Sequence, residues 1–384
     1  MRHHNSVFHG ILKLVPWGVF EALVDKHGAD HRVRRLDSKS QFIAMLFGQL
    51  SGASSLREIE AGLESHAARL YHLGGRCVAR STLADANARR PWALYGDVFA
   101  HLAAQAGRPL RRQLGDGLRI LDATRIELCS LSSGWLDTVN GHRAIKLHIA
   151  YDPGSGLPVR ATTSDQRVND ITPAKAMPIE PGMTYVFDLA YYDFAWWGRL
   201  HAQGCRFVTR IKSHTRLTHT SERPVAHNQD GIVSDRTGRL PGRPRAGADR
   251  APERVREVRV RIGSGKIIGV LTNDLEAPAA EIAALYKQRW QIELFFKWIK
   301  PNLKIRHFLG TSENAVRIQI FVALIAYLLL RTAQAAQTAI PQPLAFARLV
   351  RLNLMHRRPI TALKSTPPPI PNDTRQMILQ FAQC

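Results

Sequence analysis

The first hundred or so residues contain no convincing alternating run of apolar and polar positions, and their punctuation is helical. Ser55-Leu-Arg-Glu58 has the spacing of a capping box, and Thr82-Leu-Ala-Asp85 is a weaker variant of it. A helix, a short turn over Ser51 to Ser54 and a second helix make a helix-turn-helix outline; the next helix offers Arg80, Asn87, Arg89 and Arg90 as polar contacts. A plain helical bundle fits the same pattern. From Gly117 the texture changes to short apolar runs, at 118–122, 144–152, 157–163, 183–188 and 206–212, which read as strands. The turn Asp152-Pro-Gly-Ser-Gly156 joins the second and third as an antiparallel hairpin, and helical segments near 170–178 and 194–203 separate the last two. The order is β-β-β-α-β-α-β, an α/β mixed sheet with flanking helices.

Beyond Ser213 the pattern breaks into a Pro/Gly/Arg-rich stretch, followed by an alternating hairpin around Gly263-Ser-Gly265. This reads as an insertion, and 14 Arg and Lys against 6 Asp and Glu over 206–261 make it basic enough for nucleic-acid contact. A long amphipathic helix is predicted from Pro278 to Lys300, stopped by Pro301, with further helices to about residue 356. The tail, with Pro367-Pro-Pro-Ile-Pro371, reads as extended. The expected organisation is a helical DNA-binding domain (1–108), a catalytic domain in two parts (109–212 and 278–335), the basic insertion between them (213–277), and a C-terminal helical region and tail (336–384).

Composition narrows the class of partner. Lys and Arg number 53 against 31 Asp and Glu, a formal charge of +22, and a chain keeps such an excess chiefly where a polyanion neutralises it. An apolar fraction of 45% excludes wholesale disorder. Cys77, Cys129, Cys205 and Cys384 lie far apart without a C-x-x-C pair, which argues against a zinc ribbon and a disulfide scaffold. The N-terminus lacks an uninterrupted secretory apolar core, and the most apolar window, Ile318 to Leu330, is short for a bilayer and reads as buried core. A cytoplasmic, nucleoid-associated protein is expected.

The most informative segment is YKQRWQIELFFKWIK, where Tyr286, Arg289, Glu293 and Lys300 stand at offsets 0, 3, 7 and 14. At about 100° per residue all four share one stripe roughly 60° wide. Leu285, Ile292, Phe295, Phe296 and Ile299 fall beside it and would bury the helix against the sheet. Two further acids, Asp122 and Asp188, each follow an apolar run at a strand end. Phosphodiester chemistry by hard divalent cations needs carboxylates converging from separate rigid elements, which two strand ends and one helix supply. Taken alone, a strand-end aspartate is more often a turn residue.

With this segment the chain resembles the DDE transposases of the IS-four class of bacterial insertion sequences. Tyr286, Arg289, Glu293 and Lys300 match that class's tyrosine, arginine, glutamate, lysine signature at its full spacing. The resemblance, which covers about 110–335 well, implies an RNase H-like fold. It makes Asp122 in ILDAT, Asp188 in VFDLAYYDF and Glu293 the catalytic, metal-holding acids, with Tyr286, Arg289 and Lys300 on the DNA. It further implies two Mg²⁺, with Mn²⁺ able to substitute, and double-stranded DNA as partner, both the element's terminal inverted repeats and its target. A homodimer would assemble on that DNA. Leu189 departs from the family, where many relatives carry a basic residue after the aspartate. An inactive DNA-binding derivative and an RNase H-like nuclease are the alternatives.

Other signals are weaker. Asp193 suits the N-cap of the helix from Phe194 better than a metal. Gly263-Ser-Gly-Lys266 lacks the earlier glycine and the Ser/Thr of a phosphate loop and reads as a hairpin turn. Pro241-Gly-Arg-Pro-Arg245 suggests either a minor-groove hook or a basic loop. Trp196, Trp197, Trp290 and Trp298 could stack on a flipped base, although tryptophans at helical spacing are usually core. His3 and His4 make no ligand set.

Overall fold

The computed structural model describes residues 5–106, 117–128, 135–136, 138–139, 141–225, 231–241, 251–303, 305 and 307–364. Most of the Pro241–Arg245 motif, the proline-rich tail, His3, His4, Cys129 and Cys384 lie outside these residues. Cys77 and Cys205 are free thiols.

The N-terminal region is helical: α1 (Val7–Leu12), α2 (Trp17–Lys26), α3 (Ser38–Ser51), α4 (Leu56–Glu64), α5 (Ala67–Leu73), α6 (Arg80–Arg89) and α7 (Ala93–Ala106). The Ser55 hydroxyl accepts the Glu58 amide at the start of α4, and Glu58 reaches back to the Ser54 amide, so the capping motif works one residue early on its return arm. Thr82 and Asp85 cap nothing, because α6 already begins at Arg80 behind Ala79. Two of the polar contacts expected on α6 are structural instead. Asn87 is buried and accepts from Gln41. Arg90, 5% exposed, bonds the carbonyls of Ala29 and Leu36 and the Gln41 side chain, and pairs with Asp30 at 3.2 Å. Only Arg80 and Arg89 of that set face solvent. Removing a buried cation with four partners leaves them unsatisfied, so Arg90→Ala should lower the unfolding free energy by roughly 3 kcal/mol. Urea denaturation checks this, and the folded fraction should bind DNA as the wild type does.

The centre of the fold is a nine-stranded sheet in the order β3-β2-β1-β4-β5-β9-β8-β7-β6. Its strands are β1 (Leu118–Leu128), β2 (Arg143–Asp152), β3 (Leu157–Asp165), β4 (Thr184–Val186), β5 (Arg206–Arg210), β6 (Thr218–Glu222), β7 (Ile232–Arg239), β8 (Val255–Arg261) and β9 (Ile267–Thr272). β1, β2 and β3 form an antiparallel meander, while β4 and β5 run parallel to β1. The crossovers hold α8 (Ile171–Ala176) and α9 (Phe194–Ala202), the latter capped by Asp193, which accepts the Trp196 amide. Trp196 and Trp197 on α9 are fully buried under the sheet.

The insertion joins the same sheet, because β9 pairs antiparallel with β5. Gly265, at φ +79°, forms the β8–β9 turn, a conformation open to glycine without strain. Several of the insertion's arginines are paired internally: Arg256 with Asp235, both almost fully buried, Arg236 and Arg259 with Glu257, and Arg239 with Glu253.

The expected single helix from 278 to 300 is two, α10 (Ala279–Gln288) and α11 (Trp290–Asn302). At Arg289 the bonding tightens, with its amide on Tyr286 and the Ile292 amide on its carbonyl, both i to i+3. Pro301 falls inside the last turn of α11 rather than ahead of its end. Ile292, Phe295, Phe296 and Ile299 are buried as expected. α12 (Glu313–Ala335) is long and apolar enough to span a bilayer, yet Ile318 to Leu330 is entirely buried within the protein, against α3, α6, α7 and β3. α13 (Pro343–Asn353) closes the described chain, and one continuous apolar core runs from the N-terminal helices through α12 to the sheet.

Candidate active site

Strand alternation settles which side chains meet. β1 and β4 are parallel with Ile120 opposite Val186, so Asp122 and Asp188 each lie two residues beyond that pair, near enough that the charge of Asp188 acts on Asp122. Ile120, Val186 and Val208 belong to the core that receives Ile292 and Ile299 of α11, while Leu121, Phe187 and Phe207 belong to the core around Trp196 and Trp197. Period two then puts Asp122, Asp188 and Arg210 on the face covered by α11. That helix is seated by Phe295, whose ring lies 5.4 Å from Tyr151 of β2 and 5.1 Å from Tyr327 of α12.

Local bonds hold each acid. The Asp122 carboxylate accepts its neighbour Ala123's amide at 2.8 Å. Asp188 accepts the Ala190 amide at 2.8 Å and so caps the short turn Leu189–Tyr191. Arg289 donates to Glu293 at 2.5 Å and lies 3.5 Å from Asp122, bridging the helix acid to the strand acid. Lys300 donates to the Arg125 carbonyl at 3.0 Å, which pins α11 to the strand carrying Asp122.

Asp122 has its pKa raised to about 7. Burial is the largest cause; the charges of Asp188 and Glu293 add to it, and together they outweigh the Ala123 hydrogen bond and the Arg289 charge, which act the other way. Tyr286 is pushed up by burial while feeling Arg289, Arg210 and Asp188, so it belongs to the same cluster. Asp122, Asp188, Tyr286, Arg289 and Glu293 thus act on one another, Lys300 stands further along α11 on the Arg125 carbonyl, and Arg210 joins the cluster. Arg210 was findable, since it stands two residues after Val208 on the strand beside Asp188. Tyr191, fully buried against Phe187 and Trp196 on the other face, feels the charges of Asp122, Asp170 and Asp188 but is no part of the cluster. Of the tryptophans near the site, Trp298 packs on Tyr327 at 5.0 Å, while Trp290 is 48% exposed beneath Lys297.

The donor set is all carboxylate oxygen, which suits a hard divalent cation. Among the described residues no three acids, histidines or cysteines stand close enough to share one metal ion as they are placed. A positive charge between Asp122 and Glu293 is nonetheless already accommodated, as the Arg289 guanidinium.

The sequence matches the family model described as the transposase DDE domain over residues 113–329, and a domain of unknown function over residues 3–76. A Sinorhizobium fredii protein named as a transposase is 42% identical over 296 residues, covering 76% of this chain and 82% of its own. A Geobacillus stearothermophilus protein, named as the transposase of an insertion sequence element, is 31% identical over 254 residues, 65% of this chain and 66% of its own. A solved piggyBac transposase synaptic complex with hairpin DNA covers 97% of this chain and 83% of its own at a TM-score of 0.43 and 11% identity, a likeness on which nothing here rests. The DDE domain brings divalent-metal dependence with it. With that domain matched over more than half of its length, the chain belongs to the DDE-domain transposases and is a DNA transposase.

Proposed function

We propose that Asp122, Asp188 and Glu293 are the catalytic carboxylates of an IS-four-class transposase with an RNase H-like core, acting on the terminal inverted repeats of its own insertion sequence. The observation that carries this is the bridge of Arg289 between Asp122 on β1 and Glu293 on α11, with Asp122 also feeling the charge of Asp188, which follows the strand parallel to β1. Support for the RNase H-like reading is the strand order β3-β2-β1-β4-β5, with β2 antiparallel to the rest of that set's parallel core.

The three acids would hold Mg²⁺, as two ions, with Mn²⁺ as a substitute. Bound there, the cations supply positive charge beside the attacking and leaving oxygens of the phosphodiester. The chain's own part is positioning. Arg289 and Lys300, on the stripe that carries Glu293, offer cationic donors to the phosphates flanking the scissile bond, and Arg210 extends that set from β5. Tyr286 orients Arg289. Water attacks phosphorus, the P–O3′ bond breaks and the 3′ oxygen departs with the proton that water gives up. The freed 3′-hydroxyl then attacks a target phosphorus, breaking the target's P–O3′ bond, and its proton goes to the departing target 3′ oxygen. Two ends must be brought together, so a homodimer assembles on DNA, and Arg80 and Arg89 of the N-terminal helices serve end binding.

The test is an end-cleavage assay on duplexes carrying the sequences that flank the gene, with Mg²⁺, Mn²⁺ or EDTA. Metal-dependent cutting at the element boundary is expected. Cutting without regard to sequence would make the protein a nuclease of the same fold, and binding without cutting would make it an inactive derivative.

A further inference from the structure

A second cationic site lies outside the DDE domain, between the segment matched by the domain of unknown function and the residues that follow α13. Asn5, Ser6, His9, Arg69, His72, Leu73 and Arg357 wall an open cavity of about 230 Å³, far more than one water needs. Four of the seven carry or can carry positive charge, and no acid is among them.

The walls are stitched from three distant stretches of chain. Ser6 forms an antiparallel bridge to Arg357, and the Val7 and Phe8 amides donate to the carbonyls of His356 and Leu354. Arg69 of α5 donates to the Met355 carbonyl at 2.7 Å, and the Nδ1–H of His9 donates to the His72 carbonyl at 3.0 Å. A carbonyl can only accept, so His9 holds its hydrogen on Nδ1 and ties α1 to α5 as part of the wall. The backbone of the pocket is thus pre-shaped, with Arg69 held in place by a carbonyl and His72 and Arg357 exposed at its edge.

The surroundings lack a counter-charge. His9 is held below its ordinary pKa by burial, by Lys13 and by His72, and nearby His66 by burial, by Arg69 and by His356. An anion is what such a site is missing.

We propose that this cavity seats one backbone phosphate of duplex DNA through Arg69, His72 and Arg357, a DNA-positioning contact between the segment of unknown function and the residues that follow α13. The proposal rests on the DNA-transposase reading and adds to it a contact outside the DDE domain. An isolated, acid-free cavity suits a single phosphodiester better than an extended acidic peptide. Such a contact sets register on the duplex without reading sequence.

The experiment uses the full chain and a labelled duplex of the element end, with binding measured across a salt series. His72 and Arg357 are both exposed, so the double variant His72→Gln/Arg357→Gln should fold as the wild type does. It is expected to bind several-fold more weakly and to lose about one unit of salt slope. Arg348→Gln, an exposed cation on α13 away from the cavity lining, controls for net charge and should leave the slope nearly unchanged. An unchanged slope in the double variant, or an equal loss in Arg348→Gln, overturns the site while leaving the transposase reading intact. Inorganic phosphate titrated alone is the third arm; saturable binding by the wild type with no change in DNA slope on mutation would mark a free-anion site and also overturn the proposal. A wild-type chain that binds no duplex DNA would instead bring down the underlying reading.

Discussion

Glu293→Gln is expected to reduce strand cleavage by roughly 10³-fold or more, while DNA binding stays within about twofold of wild type. The substitution keeps the shape of the side chain and removes one negative charge from a set of three acids. Hard cations bind through that charge, whereas DNA affinity is spread over many Arg and Lys contacts. The fold should survive, because Ile292, Phe295, Phe296 and Ile299 seat α11 independently of the charge. Arg289→Ala should behave differently: it frees both Asp122 and Glu293 from their shared guanidinium, so metal affinity should rise or hold while the grip on DNA weakens. End cleavage beside a gel shift on the same duplex separates the two. Wild-type cleavage by Glu293→Gln would sink the catalytic assignment.

Asp122→Asn is expected to make the metal-free protein more stable than the wild type at pH 8. Its carboxyl titrates at about 7 in the folded chain and in the ordinary range near 3.8 when unfolded. The folded state therefore holds the proton more tightly. The associated stability is fully present below about pH 4 and is lost as the pH rises through 7. A shift of that size is worth on the order of 2–4 kcal/mol, with the lower end favoured because the group keeps some solvent contact. Other groups titrate too. His148, held by burial down at about 4, acts in the opposite sense between pH 4 and 6.5. Asp97, Asp193 and Asp274 are depressed and lose their contributions only below the usual carboxylate range. The difference between wild type and Asp122→Asn cancels these terms, and urea midpoints from pH 5 to 8.5 should show it widening with pH. Added Mg²⁺ or Mn²⁺ should narrow it by stabilising the wild type alone. A variant less stable than the wild type at pH 8 would refute the reading.

Much of the site was legible because its signals are local. The apolar runs reaching Asp122 and Asp188 mark strands, although β1 does not end at Asp122 as expected but continues to Leu128 along its ladder with β2. The spacing from Tyr286 to Lys300 marks one helical stripe, and Asp193 marks the start of α9. Each depends on contacts within a turn or on alternation along one strand, where sequence neighbours are also spatial neighbours. The same holds for the hairpin at Gly265 and the cap at Ser55.

What tertiary structure alone decided is where charge goes once elements pack. Arg90 and Asn87 looked like surface contacts on α6, yet they satisfy carbonyls and a glutamine brought close by other helices. The insertion's arginines looked like a basic face, yet Arg256 and Arg236 find acids on the neighbouring strand β7–β8 ladder. Arg289 looked like part of a straight helix, yet it sits at a tightened turn and bridges Asp122 to Glu293 across about 170 residues of chain. A charged side chain entering a low-dielectric interior must be paired, and its partner is set by which distant strand or helix arrives beside it. Periodicity carries no record of that, so the sequence determined the elements and the acids, and the packing determined their partners.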